Sequence, residues 1–509
     1  MAYPFQKMCT FPGCDRKTRG PAAMCTELCE AFLCPAHRKP EFHPCLLLTG
    51  ITTMKEQADL WATASIQDWV MLHESMSREA IEGEASRLRP GHSCVLNAPQ
   101  DGTVGMFLLE QATTDEDNLR LTELWRSWTP LETGGMSHFN HHYQLTFDDG
   151  VKWMLRCKRL RADRPASDYI LFAVMKSEIQ TMDFLREAGL KIPKVYRPSG
   201  TIKAPITEKH RWRMYFFSEY ITATKLPLQV FPVTMKEDRL KGLSLTVAKQ
   251  VVRFYAEQMI LISHKPFSAM GSLYPGKDGG PAYVGPMIDP WIGFRKKPYF
   301  YGPFTHPRDR WLTFINHQLD LALNHHGFNG DPIDNYLLLR DLMAVIEEWK
   351  ELDKPATEFY VKHVDSKGDM LFIEPDGSIA AWIDWEWAIV RTKEEAFAAP
   401  LLKDTYEELG RSDLAACVKK GFCYPSLIEV CSAFGPDLRP AYEYKKVRGL
   451  LLGTGGGTKV SIKAAKEWLQ GLRQTYRDDP GYQQVLASQG RMSEASVILE
   501  ASSSNPTNA

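Results

Sequence analysis

"YVKHVDSKGDMLFIEPDGSIAAWIDWEW", residues Tyr360 to Trp387, is the stretch on which the reading of the fold turns. Leu371-Phe372-Ile373 is a short apolar run, "EPDGS" reads as a turn, and Ile379 to Ile383 is a second apolar run. Two such runs around a turn predict a hairpin, whose strands lie about 5 Å apart. The hairpin returns Asp384 to the neighbourhood of Asp365 and Asp369. Three converging carboxylates need a cation or shifted pKa values. Hard oxygen donors of this kind suit Mg²⁺. Taken singly, each aspartate would read as a surface residue in a turn.

Working outward, "GGMSHFNHHYQLTFDDGVKWMLRCKRL" opens on Gly134-Gly135, a glycine turn that can let backbone amides approach phosphates. Tyr143, Leu145 and Phe147 alternate, Asp149-Gly150 marks a hairpin turn, and Val151, Trp153 and Leu155 alternate on the return. Met175, Ile179, Met182 and Leu185 recur at helical spacing, and Gly189 and Pro193 fit a helix end. The apolar strand "RMYFFSEYI" follows. On their own, Arg156 would be a solvated strand residue, Glu178 an exposed helix charge, and Gly-Gly a plain turn. In this order the elements are those of a small kinase-like lobe, where a strand cation holds nucleotide phosphates and a helix glutamate holds the cation. Glu219-Tyr220 would then begin the hinge whose backbone meets adenine. Downstream, "KQVVRFYAEQMILISH" and "WLTFINHQLDLALNHH" predict a mostly helical large lobe.

These segments, with "MGSLYPGKDGGPAYVGP" and "YGPFT", resemble the aminoglycoside-phosphotransferase-like family in its broad fungal form, over about Leu131 to Leu402. The resemblance implies an α+β, two-lobed protein-kinase-like fold using ATP and Mg²⁺. It implies Arg156 as the phosphate-binding cation, Glu178 as its partner, Asp365 as the catalytic aspartate and Asp384 as the Mg²⁺ ligand. The family pattern His-x-Asp-x4-Asn is broken, because Met370 stands where the asparagine belongs. Asp369, one position earlier, is the substitute Mg²⁺ ligand we favour. "LLGTGGGTKVSI", Leu451 to Ile462, fails the spacing of a phosphate loop and reads as a glycine-rich loop before a helix.

Of the 11 cysteines, six fall within the first 45 residues. Cys9, Cys14, Cys25, Cys29, Cys34, His37, His43 and Cys45 make two sets of four tetrahedral zinc ligands. A segment this short cannot bury a core, so metal would supply its folding energy. The alternatives are a disulfide knot or unrelated thiols, and the cysteine–histidine alternation argues against both. "CPAHRKPEFHPC", Cys-x2-His-x5-His-x-Cys, resembles the end of an AN-one-type zinc finger, a cross-braced two-zinc module. The resemblance implies Cys9, Cys14, Cys34 and His37 on one ion and Cys25, Cys29, His43 and Cys45 on the other, with a protein-interaction role.

The domain reading is therefore 1–52 zinc finger, 53–130 helical segment and linker, 131–225 small lobe, 226–498 large lobe and 499–509 disordered tail. Within the second of these, Met54 to Leu88 reads as helical and the turn-rich Arg89 to Gly105 as linker. The chain of 509 residues has 61 basic and 62 acidic residues, a net charge of −1, which points away from nucleic-acid and membrane-surface partners. No apolar run is long enough to span a bilayer, and the N-terminus lacks a signal peptide, which places the protein in the cytoplasm or nucleus. Two functions follow. One is ATP- and Mg²⁺-dependent phosphoryl transfer to a hydroxyl of a small-molecule substrate, with the finger contacting a protein partner. The alternative is a catalytically weak kinase-like interaction protein with the finger as adaptor.

Overall fold

The computed structural model describes residues 7–8, 17–18, 77–97, 140–158, 168–198, 203–204, 213–225, 245–289, 299–323, 332–348, 350–353, 356–364, 370–397 and 462–488. The strands in chain order begin with β1 (Lys7–Met8), β2 (Lys17–Thr18), β3 (Cys94–Asn97), β4 (Asn140–Phe147) and β5 (Lys152–Lys158). They continue with β6 (Val195–Tyr196), β7 (Lys203–Ala204), β8 (Arg213–Glu219), β9 (Thr224–Lys225), β10 (Ser272–Tyr274) and β11 (Tyr283–Gly285). The last four are β12 (Phe359–Lys362), β13 (Leu371–Ile373), β14 (Ile379–Trp382) and β15 (Ile389–Thr392). The helices are α1 (Arg78–Leu88), α2 (Asp168–Glu187), α3 (Leu245–Ser263), α4 (Pro307–Leu323) and α5 (Pro332–Glu348). They end with α6 (Lys393–Phe397), α7 (Ile462–Thr475) and α8 (Pro480–Ser488). The chain is thus mixed α and β, divided into two compact units.

The first unit takes Met1–Lys225, Leu273–Tyr283 and Leu371–Trp387. Its main sheet is antiparallel in the order β3-β4-β5-β8-β6, with β7 also on β8. The expected hairpin at Asp149-Gly150 forms, pairing Tyr143 with Leu155 and Leu145 with Trp153. Gly150 takes a φ of 84°, which a side chain would oppose. Strand alternation then sorts β5 by parity. Trp153, Leu155 and Cys157 join Tyr143, Leu145, Phe147, Tyr215 and Phe217 in a core that also holds Ile81 and Ala85 of α1. Arg156 and Lys158 share the opposite face of β5, paired in register with His142 and Asn140 of β4.

One reading needs correction. The turn-rich stretch taken as linker contains β3, which pairs Cys94–Asn97 with Phe147–Gln144 as an edge of the main sheet. Cys94 and Leu96 are buried while Val95 and Asn97 are exposed, so the alternation was there, hidden in four residues among glycine and proline. Its outer edge is covered by side chains of α1. Glu82 Oε1 accepts the Leu96 N–H at 2.7 Å, and Arg78 Nη1 donates to Leu96 O. The Ser77 hydroxyl caps α1 by accepting from Ala80 N at 3.2 Å.

α2 buries Ile170, Val174, Met175, Ile179, Met182 and Leu185, and ends where Leu190 N–H donates back to Leu185 O at 3.0 Å. The hairpin predicted around "EPDGS" is β13–β14, with Leu371 opposite Trp382 and Gly377 at φ 83° in its turn. β9 extends it to a three-stranded sheet. Two bonds fix the hairpin to the segment after α2. Trp382 N–H donates to Lys191 O at 2.8 Å, and Lys191 Nζ donates to Ile379 O at 2.7 Å.

The second unit takes Leu226–Ser272, Val284–Met370 and Ala388–Ala509. Its helical core gathers Ile315 and Leu319 of α4, Ile333, Leu337 and Leu338 of α5, Leu469 and Leu472 of α7, and Val485 and Leu486 of α8. β12 and β15 pair antiparallel, Phe359 opposite Thr392. Arg310 meets Glu395, and Arg391 lies 3.6 Å from Glu395 and 3.4 Å from Asp289. Among the described residues no helix is long and apolar enough to cross a membrane.

Candidate active site

Every described side chain of the site lies in the first unit. β5 supplies Arg156 and Lys158, β4 supplies Asn140 and His142, α2 supplies Glu178, and the turn after β14 supplies Asp384 and Glu386. The turn is made rigid by Trp385, whose Nε1–H donates to Trp382 O at 3.0 Å and whose ring packs on Trp382 at 4.6 Å.

One nitrogen organises the cluster. Arg156 Nη2 stands 2.9 Å from Glu178 Oε1, 2.9 Å from Asp384 Oδ1 and 3.0 Å from Glu386 Oε2. A guanidinium Nη carries two hydrogens, so it cannot serve three acceptors equally. Asp384 and Glu386 receive the directed bonds, and Glu178 is held by charge. Arg156 Nη1 bonds His142 Nε2 at 3.1 Å, which requires that ring nitrogen to be the acceptor. Glu386 is served further: Asn140 Nδ2 donates to its Oε2 at 2.6 Å and Lys158 Nζ donates to its Oε1. Lys158 Nζ also lies 3.7 Å from Glu178 Oε2.

Burial shapes the electrostatics. Glu178 and Lys158 side chains are 1% and 2% exposed, and Asp384 is 29% exposed. Burial pushes the Glu178 carboxyl up to about 7, against the pull of Arg156 and Lys158. For Arg156, burial works to lower the pKa, but Glu178, Asp384 and Glu386 outweigh it and hold the guanidinium above its ordinary value. Arg156 is a fixed cation.

Asp384 has a φ of 68°, the one positive value among described non-glycine residues. A left-handed aspartate is tolerated less easily than glycine, and such strain gathers at functional positions. Oxygens of Glu178, Asp384 and Glu386 can lie within 4.8 Å of one another, a hard-donor set suited to a divalent ion. Glu178 and Glu386 are already turned on buried cations, so Asp384, the most exposed of the three, is the donor that fits a metal.

Of the residues singled out in the sequence, Arg156, Glu178 and Asp384 come together here. Glu219 ends β8 and Tyr220 follows it, and both amides are already engaged, Glu219 N–H on Lys194 O at 2.8 Å and Tyr220 N–H on Lys152 O at 3.3 Å. A base at this edge would therefore have to find its donors elsewhere. Gly134, Gly135, Asp365 and Asp369 lie outside the described residues, as do Cys9, Cys14, Cys25, Cys29, Cys34, His37, His43 and Cys45. Sequence reasoning passed over Lys158, Glu386, Asn140 and His142. The signal for Lys158 was its place two residues beyond Arg156 on a strand, which puts both on one face.

No protein-family model matches the chain, and no curated protein does. Solved structures similar to it include a thermostable mutant of aminoglycoside phosphotransferase APH(4)-Ia in its apo form. That one is 16% identical, with 73% of this chain and 94% of the other covered and a TM-score of 0.34. An ethanolamine kinase of Plasmodium vivax is 13% identical over 66% of this chain and 80% of its own, with a TM-score of 0.33. The amicoumacin kinase hAmiN in complex with AMP-PNP, Ca²⁺ and Ami is 12% identical over 71% and 94%, with a TM-score of 0.33. At these scores the likeness carries no weight for the chemistry of this chain.

Proposed function

We propose that the chain is a phosphotransferase of protein-kinase-like fold that moves the γ-phosphoryl group of ATP to a hydroxyl of a small molecule. The observation that supports this is the Arg156–Glu178 ion pair, strand cation to helix carboxylate at 2.9 Å, beside the strained and half-buried Asp384. Phosphoryl transfer needs a fixed cation at the phosphates and a carboxylate for Mg²⁺, both held before substrate arrives. In this reading Arg156 meets the phosphates, Gly134 and Gly135 let the chain approach them, and Glu219 and Tyr220 border the adenine. Asp384 and Asp369 would hold Mg²⁺, which would supply charge neutralisation at the phosphates, and Asp365 orients or deprotonates the acceptor hydroxyl. The N-terminal cysteines and histidines hold two structural zinc ions in a finger that meets a protein partner.

Purified protein should gain thermal stability with ATP and Mg²⁺ together. Asp365→Ala should abolish slow ATP turnover without unfolding the chain. No thermal shift with ATP, with or without Mg²⁺, would sink the enzyme reading. Metal analysis should return two zinc ions per chain, and none would remove the finger.

One observation favours the second reading, a catalytically weak interaction protein. Met370 stands where the family pattern asks for a metal-binding asparagine, and it is an apolar side chain only 8% exposed. ATP binding with no turnover on any acceptor would select that reading.

A further inference from the structure

We propose that Glu386 is a positioning residue that fixes the guanidinium of Arg156, and that Lys158 serves Glu386 and not the nucleotide. This rests on the reading that Arg156 meets phosphates. Two carboxylates receive directed bonds from Arg156 Nη2, those of Asp384 at 2.9 Å and Glu386 at 3.0 Å. They are not equivalent. The Asp384 side chain is 29% exposed, at the place where a metal would be taken up, so its bond to Arg156 competes with that metal. The Glu386 side chain is 2% exposed, and both its oxygens are held, Oε1 by Lys158 and Oε2 by Asn140. It is the bond that persists whatever Asp384 does.

Lys158 is the other cation on this face of β5, and its burial decides its role. Its Nζ contacts Glu386 Oε1 and lies 3.7 Å from Glu178 Oε2, with a side chain 2% exposed. An ammonium so enclosed cannot reach a bound phosphate. It balances a carboxylate whose burial would otherwise be costly. Asn140 and Lys158 are register partners across β4 and β5, so the hairpin that carries Arg156 also carries the two groups that aim Glu386 at it.

The test uses the full-length protein and the variants Glu386→Gln, Lys158→Met and the double variant. The double variant removes a buried charge of each sign, so its fold should recover relative to either single change, read by melting midpoint. Two further measurements are made on it. The Nη–H signals of Arg156 in ¹⁵N-arginine-labelled protein, assigned by their loss in Arg156→Lys, report whether the guanidinium is held against solvent exchange. Calorimetric titration with ATP·Mg²⁺ reports whether the held guanidinium matters. The expected result is a stable double variant whose Arg156 signals exchange rapidly and whose affinity for ATP·Mg²⁺ falls by about tenfold or more, the loss of one charged hydrogen bond.

A double variant that keeps both protected Arg156 signals and wild-type affinity overturns the proposal, since Glu386 is then only the counterion of Lys158. Should wild-type protein bind no ATP·Mg²⁺, the phosphotransferase reading fails, and the Arg156 signals still decide whether Glu386 fixes the guanidinium. If the double variant does not fold, Asn140→Ala carries the test, because it removes a neutral donor from Glu386 Oε2. Loss of Arg156 protection in Asn140→Ala supports the positioning role, and unchanged protection ends it.

Discussion

Arg156 Nη2 lies 2.9 Å from Asp384 Oδ1, so a fixed cation grips the one described non-glycine residue held at a left-handed φ. The strain at Asp384 persists because its surroundings over-determine it. Trp385 is tied to Trp382, and Trp382 is tied to Lys191. The strain should therefore be separable from the chemistry. Asp384→Gly and Asp384→Ala both remove the carboxylate, but only glycine takes φ 68° without cost. We expect the glycine variant to be the more stable by about 1 kcal/mol. Both should lose the thermal shift given by ATP with Mg²⁺. Melting curves with and without the nucleotide check both statements, and equal midpoints for the two variants would show that the turn carries no strain.

Glu178 supplies a pH dependence with a definite sign. Its carboxyl goes from an ordinary 4.5 to about 7 in the fold, chiefly through burial. The folded state then binds more protons than the unfolded state between those values. The stability it contributes is full below 4.5 and is lost as pH rises through about 7. Denaturation of the metal-free protein between pH 5 and pH 8 should show this fall, and Glu178→Gln should flatten it. A wild-type profile that rises over this range would mean that Arg156 and Lys158 outweigh the burial.

What could be read in advance follows from the range of the signal. The β4–β5 hairpin and the β13–β14 hairpin were legible because period-two alternation and a glycine turn are local. Arg156, Glu178 and Asp384 were legible only through order, since no single stretch links a strand, a helix and a turn more than two hundred residues on. Glu386 was invisible as an anchor. Its partners Asn140 and Lys158 lie 246 and 228 residues away, and nothing near Glu386 signals that both its oxygens are used. Taken alone, Glu178 would have read as a surface charge for the same reason, as helical spacing gives a face but not what covers it. β3 was missed because four alternating residues between turns look like linker until the partner strand is known.

The edge of the main sheet gives a prediction about association. Among the described residues β3 ends the strand order, and an uncovered edge invites pairing with another chain. Here Glu82 accepts the outward Leu96 N–H at 2.7 Å and Arg78 covers Leu96 O. Glu82→Ala uncovers the donor. We expect a loss of about 1 kcal/mol and a concentration-dependent rise in self-association, seen by light scattering. Glu82→Gln keeps an acceptor at the same position and should stay monodisperse relative to the alanine variant.

In the helical unit, Asp479 ties α8 to α5. Its Oδ1 accepts Tyr482 N–H at 2.9 Å, which caps α8, and also accepts the Tyr336 hydroxyl at 2.5 Å. Its Oδ2 lies 3.2 Å from Arg340 Nε. Gly481 lets Tyr336 come this close. A Cβ there would fall 2.0 Å from Tyr336 Oη and 2.7 Å from its Cζ. The ring is buried against α8, so Gly481→Ala must move Tyr336 and break its bond to Asp479, a cost of about 1–3 kcal/mol. Tyr336→Phe removes the atom in the nearer clash, so Gly481→Ala should cost less in the Tyr336→Phe background than in the wild type. A double-mutant cycle on denaturant midpoints measures that difference. Strict additivity would mean that α8 shifts as a whole and that Tyr336 is not what holds it.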